Sequence, residues 1–399
     1  MTNKLFRLIT FLLCCSLLAG CLGKMEINDM AMVMAVGLDK GEKPGMFKIT
    51  AEIARPGDAR GSTGAPTGQT GEPIYSVVAE GKSIFEAIRN LARFTSRRIF
   101  WAHNFIIVIN EDLARQGIHE IIDFFSRNHE LRMRTWVVVT PEKAGEVVST
   151  ITGMDVIPGQ SMDKLFRYSE IVAEAPKTDL MTLQAAYLSH TTHPILARVV
   201  LKERGISNKK PEEFGSIKQV ELSGTGVFHD DKLIGVLNPN QTRGLLWFVE
   251  NVKSSIVTLP CPEDPKSSIT FELKDQSFDL TPHFEEGNVS FTANLTTYGD
   301  MVEVGCTVTE DQQKLMKEME RELETVLKKE IEEVVRLAQK KYKSDFMELG
   351  KVFQNRYPQE WKVLKDSWDE ELVQAKFDIV VKAEINSPVL LEQQLRSGK

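Results

Sequence analysis

The chain has 399 residues, 42% hydrophobic and 26% charged, with a formal charge of −7. That composition is ordinary for globular protein, and the length suits two or three domains. The acidic balance argues against general nucleic-acid binding and against a broad electrostatic grip on anionic lipid.

The first residues follow the order of a secretory signal: Lys4 and Arg7, an apolar stretch from Leu8 to Leu18, then Ala19, Gly20 and Cys21. An apolar run of about eleven residues is short of the roughly 20 needed to span hydrocarbon as a helix. Leu17-Leu18-Ala19-Gly20-Cys21 resembles the lipobox of bacterial lipoproteins, in which the cysteine thiol takes a diacylglycerol and becomes the first mature residue. The alternative is an ordinary cleaved signal with an incidental cysteine. Two acyl chains hold a protein to a membrane stably where one chain holds it only marginally. Losing Lys4 and Arg7 takes the charge from −7 to −9. Beyond Cys21 only Cys261 and Cys306 remain, too few for a disulfide framework, so the core must come from apolar burial. Nothing local places these two thiols together, and the sequence leaves their pairing open.

Along the mature chain, Ala31 to Asp39 and Met46 to Ile53 read as strands joined by a turn at Gly41, Pro44 and Gly45. Arg55 to Pro73 is rich in Gly, Pro and Thr and is expected to be a mobile loop, followed by a strand from Ile74 to Ala79. Ser83 and Glu86 form a capping-box signature ahead of Ile84, Phe85, Ile88, Leu91 and Ala92 on one helical face. Phe105 to Ile109 reads as a buried strand, Gly117 to Asn128 as a helix and Trp136 to Val139 as a strand. Helices are expected over Pro141 to Thr150, Met162 to Ala173 and Leu180 to Leu188, giving helices packed on a mixed sheet. Val199 to Leu201, Val220 to Phe228 and Lys232 to Leu237 are strand-like, the last two joined in a hairpin across His229, Asp230 and Asp231. Leu245 to Val252 reads as a helix. Ser268 to Leu273, Phe278 to Pro282 and Asn288 to Thr297 suggest a meander. From Leu315 through Leu327 and Val334 to Phe346, apolar residues recur every three or four positions and draw one stripe along a helix approaching ~50 Å. Phe377 to Ile385 returns as a final strand.

The fold is read as α+β in three domains, each with a mixed or antiparallel sheet and packed helices. A signal peptide at 1–20 precedes an N-terminal α+β domain at 21–197, a small middle domain at 198–262 and a C-terminal α+β domain with the long helix at 263–399.

Motifs for chemistry are sparse. His190 and His193 are three apart without the glutamate that a zinc-hydrolase helix places beside its first histidine, and no cysteine lies near, so no metal site or cofactor is expected. Ser161 and Lys164 have the Ser-x-x-Lys spacing of a penicillin-binding enzyme but lack its Ser-Asp-Asn and Lys-Thr-Gly companions. Gly224, Thr225 and Gly226 lie within a strand pattern, where glycine marks a bulge more often than a nucleotide cradle. The charges along Asp311 to Ser344 are those of a solvated helix face. The chain is therefore read as non-catalytic.

Four separated stretches resemble the Ger(x)C family, the lipoprotein C subunits of spore germinant receptors. After the cysteine, MEINDMAMVMAVGLDKGE has the family's opening through Glu26, Asp29, Gly37 and Asp39, although Leu22 and Gly23 stand where members usually have Trp-Asp. SIFEAIRNLARFTSRRIFWAHNFIIVINEDLARQGI with DFFSRNHELR matches through Glu86, Ala87, Arg89, His103, Asn104, Gly117, Asp123, Arg127, Glu130 and Arg132. GTGVFHDDKLIGVLNPNQTRGLLW is similar to the second-domain hairpin, and PQEWKVLKDSWDEEL, with Trp361 and Trp368, to the C-terminal helix.

The resemblance implies three α+β domains, no known enzymatic activity, attachment to the outer face of the inner spore membrane through acylated Cys21, and assembly with membrane-embedded A and B subunits. A solute-binding lipoprotein that delivers a small ligand to a transporter is the competing function, although such proteins usually have two similar lobes and no internal repeat is visible here. Burial of a core accounts for the apolar residues between Trp101 and Arg132 but not for His103, Asn104, Asp123, Arg127, Glu130 and Arg132. These six are expected either to offer a partner subunit a contact surface or to brace a loop.

Overall fold

A computed structural model describes residues 29–55, 74–152, 157–168, 173–205, 218–262, 264–305 and 312–386, together with Lys4, Phe6, Arg7, Thr10, Glu26 and Asp155. Cys21, Cys306 and most of the expected 55–73 loop lie outside these residues.

The first sheet begins with three strands that alternate down the chain, β1 (Met30–Lys40), β2 (Phe47–Ala54) and β3 (Ile74–Gly81), paired antiparallel. The chain then crosses to β4 (Arg98–Phe100) and β5 (Ile106–Asn110), which lie parallel to β1 in its first and second halves. Next to β5 are β6 (Trp136–Thr140) and β7 (Ile195–Glu203), still parallel, and then β8 (Lys218–His229) and β9 (Lys232–Leu237) as an antiparallel hairpin. The order is β3-β2-β1-β5-β6-β7-β8-β9 with β4 beside β1. The central strands are apolar on both faces because helices cover both.

On one face sit α1 (Ile84–Leu91), α2 (Glu111–Ala114), α3 (His119–Arg127) and, further along the chain, the 180–188 helix, whose Leu180 and Leu183 join Ile84, Leu91, Ile121 and Phe125 in one core. On the other are α4 (Ala144–Ser149) and α5 (Pro158–Tyr168), with Val147, Met162 and Phe166 packed on Ile106, Val108 and Val138. The Ser83 hydroxyl accepts the Glu86 N–H at 3.2 Å and the Glu86 carboxylate accepts the Lys82 N–H at 2.6 Å, so the capping signature does its job at the start of α1.

After α6 (Leu180–Leu188) and α7 (Pro239–Val249), a second sheet is built from β10 (Ser254–Pro260), β11 (Ser268–Glu285), β12 (Asn288–Val304) and β13 (Lys376–Asn386), in that order. Its long helix, α8 (Gln312–Arg336), lays Met319, Leu323, Leu327 and Ile331 on the sheet. It runs on as a π-turn at Leu337–Tyr342 and stops at Lys343, which has φ +49°. Three short helices, α9 (Leu349–Arg356), α10 (Pro358–Leu364) and α11 (Trp368–Gln374), stack Phe353, Trp361 and Trp368 before β13 closes the sheet. The stretch 198–262 is thus shared out, β7 to β9 completing the first sheet and β10 opening the second.

Gly224 has φ +103° and lies where two residues of β8 face one of β7 between Ala197 and Val199, so the glycine does mark a bulge. Among the described residues no helix is long and apolar enough to cross a membrane.

Candidate functional site

Of the polar residues singled out between Trp101 and Arg132, His103, Asn104, Glu130 and Arg132 lie in loops at the end of the first sheet where parallel strands begin, and Asp123 and Arg127 lie on α3. Met30 pairs with Arg98, the Phe105 N–H donates to the Met34 carbonyl at 2.9 Å, and the Trp136 N–H donates to the Phe105 carbonyl at 3.0 Å. The start of β1, all of β4, the 101–105 loop and the 128–135 loop therefore form one rim. Glu130 holds it together, accepting from the Arg98 guanidinium at 3.0 Å and from the Trp101 N–H at 3.4 Å. Asn104 is buried with neither amide atom hydrogen-bonded among the described residues, while its carbonyl accepts the Thr135 hydroxyl. His103 is half-buried with its ring 6.1 Å from that of Phe100.

The remaining three face water. Asp123 and Arg127 pair at 2.7 Å on the exposed side of α3, which contributes at most ~0.5 kcal/mol. Arg132 is exposed, as are Arg93, Arg97 and Arg134, and none of the four has an ion-pair partner among the described residues. Phe94 adds an exposed ring to the same edge. The six residues thus divide into Glu130, which braces the rim, the buried Asn104, and Asp123, Arg127 and Arg132 turned to water, with His103 between.

Ser161 and Lys164 share a face of α5 but are engaged elsewhere. The Ser161 hydroxyl bonds that of Thr152 at 2.9 Å, and the Lys164 ammonium pairs with Asp155 at 2.6 Å.

A second site joins residues remote in sequence. His193 lies just before β7, His229 ends β8, and Asp369 is in the first turn of α11. The two imidazoles stack with centroids 4.3 Å apart and planes 24° apart. Both turn Nε2 toward one carboxylate oxygen, Asp369 Oδ2, at 3.4 Å from His193 and 3.0 Å from His229. Burial works to raise the Asp369 pKa, but the hydrogen bonds and positive charge of the two histidines win and hold it below the usual carboxylate value.

Asp345 sets this geometry. Its carbonyl accepts the His193 N–H at 2.6 Å, and its carboxylate accepts from Met347, Leu349 and Gly350 N–H groups and from Trp368 Nε1 at 2.8 Å. Burial pushes the Asp345 carboxyl up to about 6 against those four bonds. One buried aspartate thereby fixes both the backbone of His193 and the residue before Asp369. The group opens on a cavity of about 350 Å³ bordered by Thr191, Asp230, Asp366 and Glu370. His190 lines the cavity without joining the cluster. Local spacing could not reveal the trio, because its members come from three elements: in sequence His193 pairs only with His190, and His229 to Asp231 reads only as a hairpin turn.

Against known proteins, residues 23–201 match the family model for the spore germination protein N-terminal domain, and residues 223–388 match that for the spore germination B3/GerAC-like C-terminal domain. Spore germination protein KC of Bacillus subtilis (strain 168) is 26% identical over 96% of this chain and 95% of its own length. Spore germination protein B3 of the same organism is 22% identical, with coverages of 96% and 97%. The crystal structure of the GerBC protein shares the fold with a TM-score of 0.56 at 19% identity, covering 88% of this chain and 98% of that one. With both family domains matched in order over nearly all of its length, this chain belongs to the Ger(x)C family of spore germination proteins.

Proposed function

We propose that this chain is the lipid-anchored, non-catalytic C subunit of a spore germinant receptor, held through Cys21 on the outer face of the inner spore membrane and assembled with membrane-embedded A and B subunits. The observation that carries the reading is the end-to-end match to both germination domains. The engagement of Ser161 and Lys164 with other partners supports the non-catalytic part. Cys261 is disulfide-bonded, and disulfides persist in oxidising compartments, which supports export. The solute-binding alternative gains nothing from the fold, since the nine-stranded and four-stranded sheets are not two similar lobes.

We assign the contact with the membrane subunits to Arg132 on the rim and Arg127 at the end of the adjoining α3. Eight residues lie between Cys21 and Met30, a reach of at most ~30 Å, so under this reading the rim beside Met30 stays close to the bilayer in which those subunits sit. Exposed arginines, of which Arg132 has no ion-pair partner among the described residues, suit a partner surface bearing carboxylates. Arg127→Glu with Arg132→Glu is expected to leave the melting temperature of the isolated chain within about 1 °C, because both side chains are exposed, while lowering the amount of assembled receptor recovered from spores. Normal assembly and germination of the double variant would remove the interface from this rim. Glu130→Ala is the structural control: it should destabilise the isolated chain by releasing Arg98 and the Trp101 N–H.

A further inference from the structure

We propose that His193, His229 and Asp369 form a site for a divalent transition metal, zinc being the ion they fit best, which ties α11 of the second unit to the β7 and β8 ends of the first sheet. The three ligand atoms lie within 4.8 Å of one another. A zinc ion about 2.0–2.1 Å from its nitrogen and oxygen ligands spaces tetrahedral donors about 3.3 Å apart, and the two nitrogen–oxygen separations here are 3.4 and 3.0 Å. Two imidazoles with one carboxylate select a borderline metal of this kind, whereas calcium and magnesium require a shell of oxygens. Three protein ligands leave a fourth position, and two of them, His193 and Asp369, line the adjoining cavity.

The surroundings fit a cation. Asp230 brings its carboxylate to 3.4 Å from His229 Nδ1, the outer contact that orients a ligating imidazole and leaves Nε2 free for the metal. The framework is rigid, because Asp345 locks both His193 and Trp368 in place. Two features oppose ligation: the rings are stacked with planes 24° apart, so one must turn for both Nε2 lone pairs to meet a single ion, and the Asp230 N–H donates to His193 Nδ1 at 3.0 Å, which places the neutral ring's proton on Nε2. Metal binding moves that proton to Nδ1 and costs this hydrogen bond together with the two between Nε2 and Asp369 Oδ2, against three ligand bonds gained. Asp230 occupies a hairpin turn at φ +52°, exposed and able to shift its N–H away.

The test is calorimetric titration of the purified, metal-stripped full chain with Zn²⁺, with Ca²⁺ as comparison and Co²⁺ as a spectroscopic probe. The expected result is one Zn²⁺ per chain, no comparable Ca²⁺ binding, and visible Co²⁺ absorption of a four-coordinate site. His229→Gln and Asp369→Asn should each abolish stoichiometric binding, and Asp230→Asn should weaken it about tenfold. The proposal is overturned if the wild-type chain binds no stoichiometric Zn²⁺, or if Asp369→Asn binds it as the wild type does. Should the variants fold poorly, the wild-type chain still decides by NMR, because bound Zn²⁺ must shift the ring resonances of His193 and His229 together; unshifted rings would sink the idea.

Discussion

Glu52 stands in β2 with its side chain fully buried, Oε2 accepting the Gly159 N–H at 2.9 Å and Oε1 lacking a partner among the described residues. Desolvation pushes its pKa from 4.5 up to about 8, the Gly159 hydrogen bond acting weakly in the opposite sense. The sign follows from linkage. Between 4.5 and about 8 the folded state holds a proton that the unfolded state has released, so the contribution of Glu52 to stability is fully present below pH 4.5 and is lost as pH rises toward 8. Glu52→Gln should flatten that decline and melt roughly 5 °C above the wild type at pH 8, as thermal scans across pH 5 to 8 would show; parallel curves would refute it. The alternation of Phe47 to Ile53 made the strand legible but hid this burial. Alternating polar residues suggest a face in water, whereas Thr50 and Glu52 lie beneath α4 and α5. The cover comes from residues about 90 to 110 positions later, which no local pattern reports.

At the scale of elements, the close pass of α7 over α8 depends on Gly244. A methyl group built there would sit 2.4 Å from the Glu330 carbonyl oxygen, and the neighbouring Arg243 reaches the Glu330 carboxylate with Nε at 2.9 Å. Gly244→Ala should therefore force the helices apart and destabilise by about 1–3 kcal/mol, seen as a lower denaturant midpoint with an unchanged slope; an unaffected midpoint would mean the helices separate freely. Periodic elements were legible in sequence, since α1, α3, α6 and the β8–β9 hairpin appear close to where spacing and turns place them. The apolar stripe of α8 was followed through to Phe346, but α-helix gives way to a π-turn after Arg336. Tyr342 there packs against Gly235 and donates to the Val236 carbonyl at 3.3 Å, a contact with the other unit. The expected three-stranded meander is two long strands, β11 and β12. A bulge between Lys274 and Ser277, with Asp275 at φ +50°, interrupts the alternation without ending the strand. Three-residue β4 and the Pro-bounded β10 carried too little periodicity to be read.

For the whole molecule, membrane attachment is assigned to the lipid rather than to the body. Cys21→Ala should leave the chain folded and move it to the soluble fraction in cells lacking the partner subunits, because one acyl pair is the entire anchor in this reading. Full membrane retention of the variant in that background would require another anchor. The family was legible in sequence because its blocks lie in order along the chain, and the rim because its residues are near neighbours. The His193, His229 and Asp369 trio was not, since it exists only once the second unit is folded against the first. The position of β1 has a mechanical side. Although it is the first strand among the described residues, it lies inside the sheet, bonded to β2 on one flank and to β4 and β5 on the other. Tension applied upstream of Met30 therefore loads these ladders in shear, so many hydrogen bonds must yield together instead of peeling one at a time. Under the proposed anchoring through Cys21, a pull on the tether enters the middle of the first sheet rather than its edge, so the body resists unravelling from its anchored end.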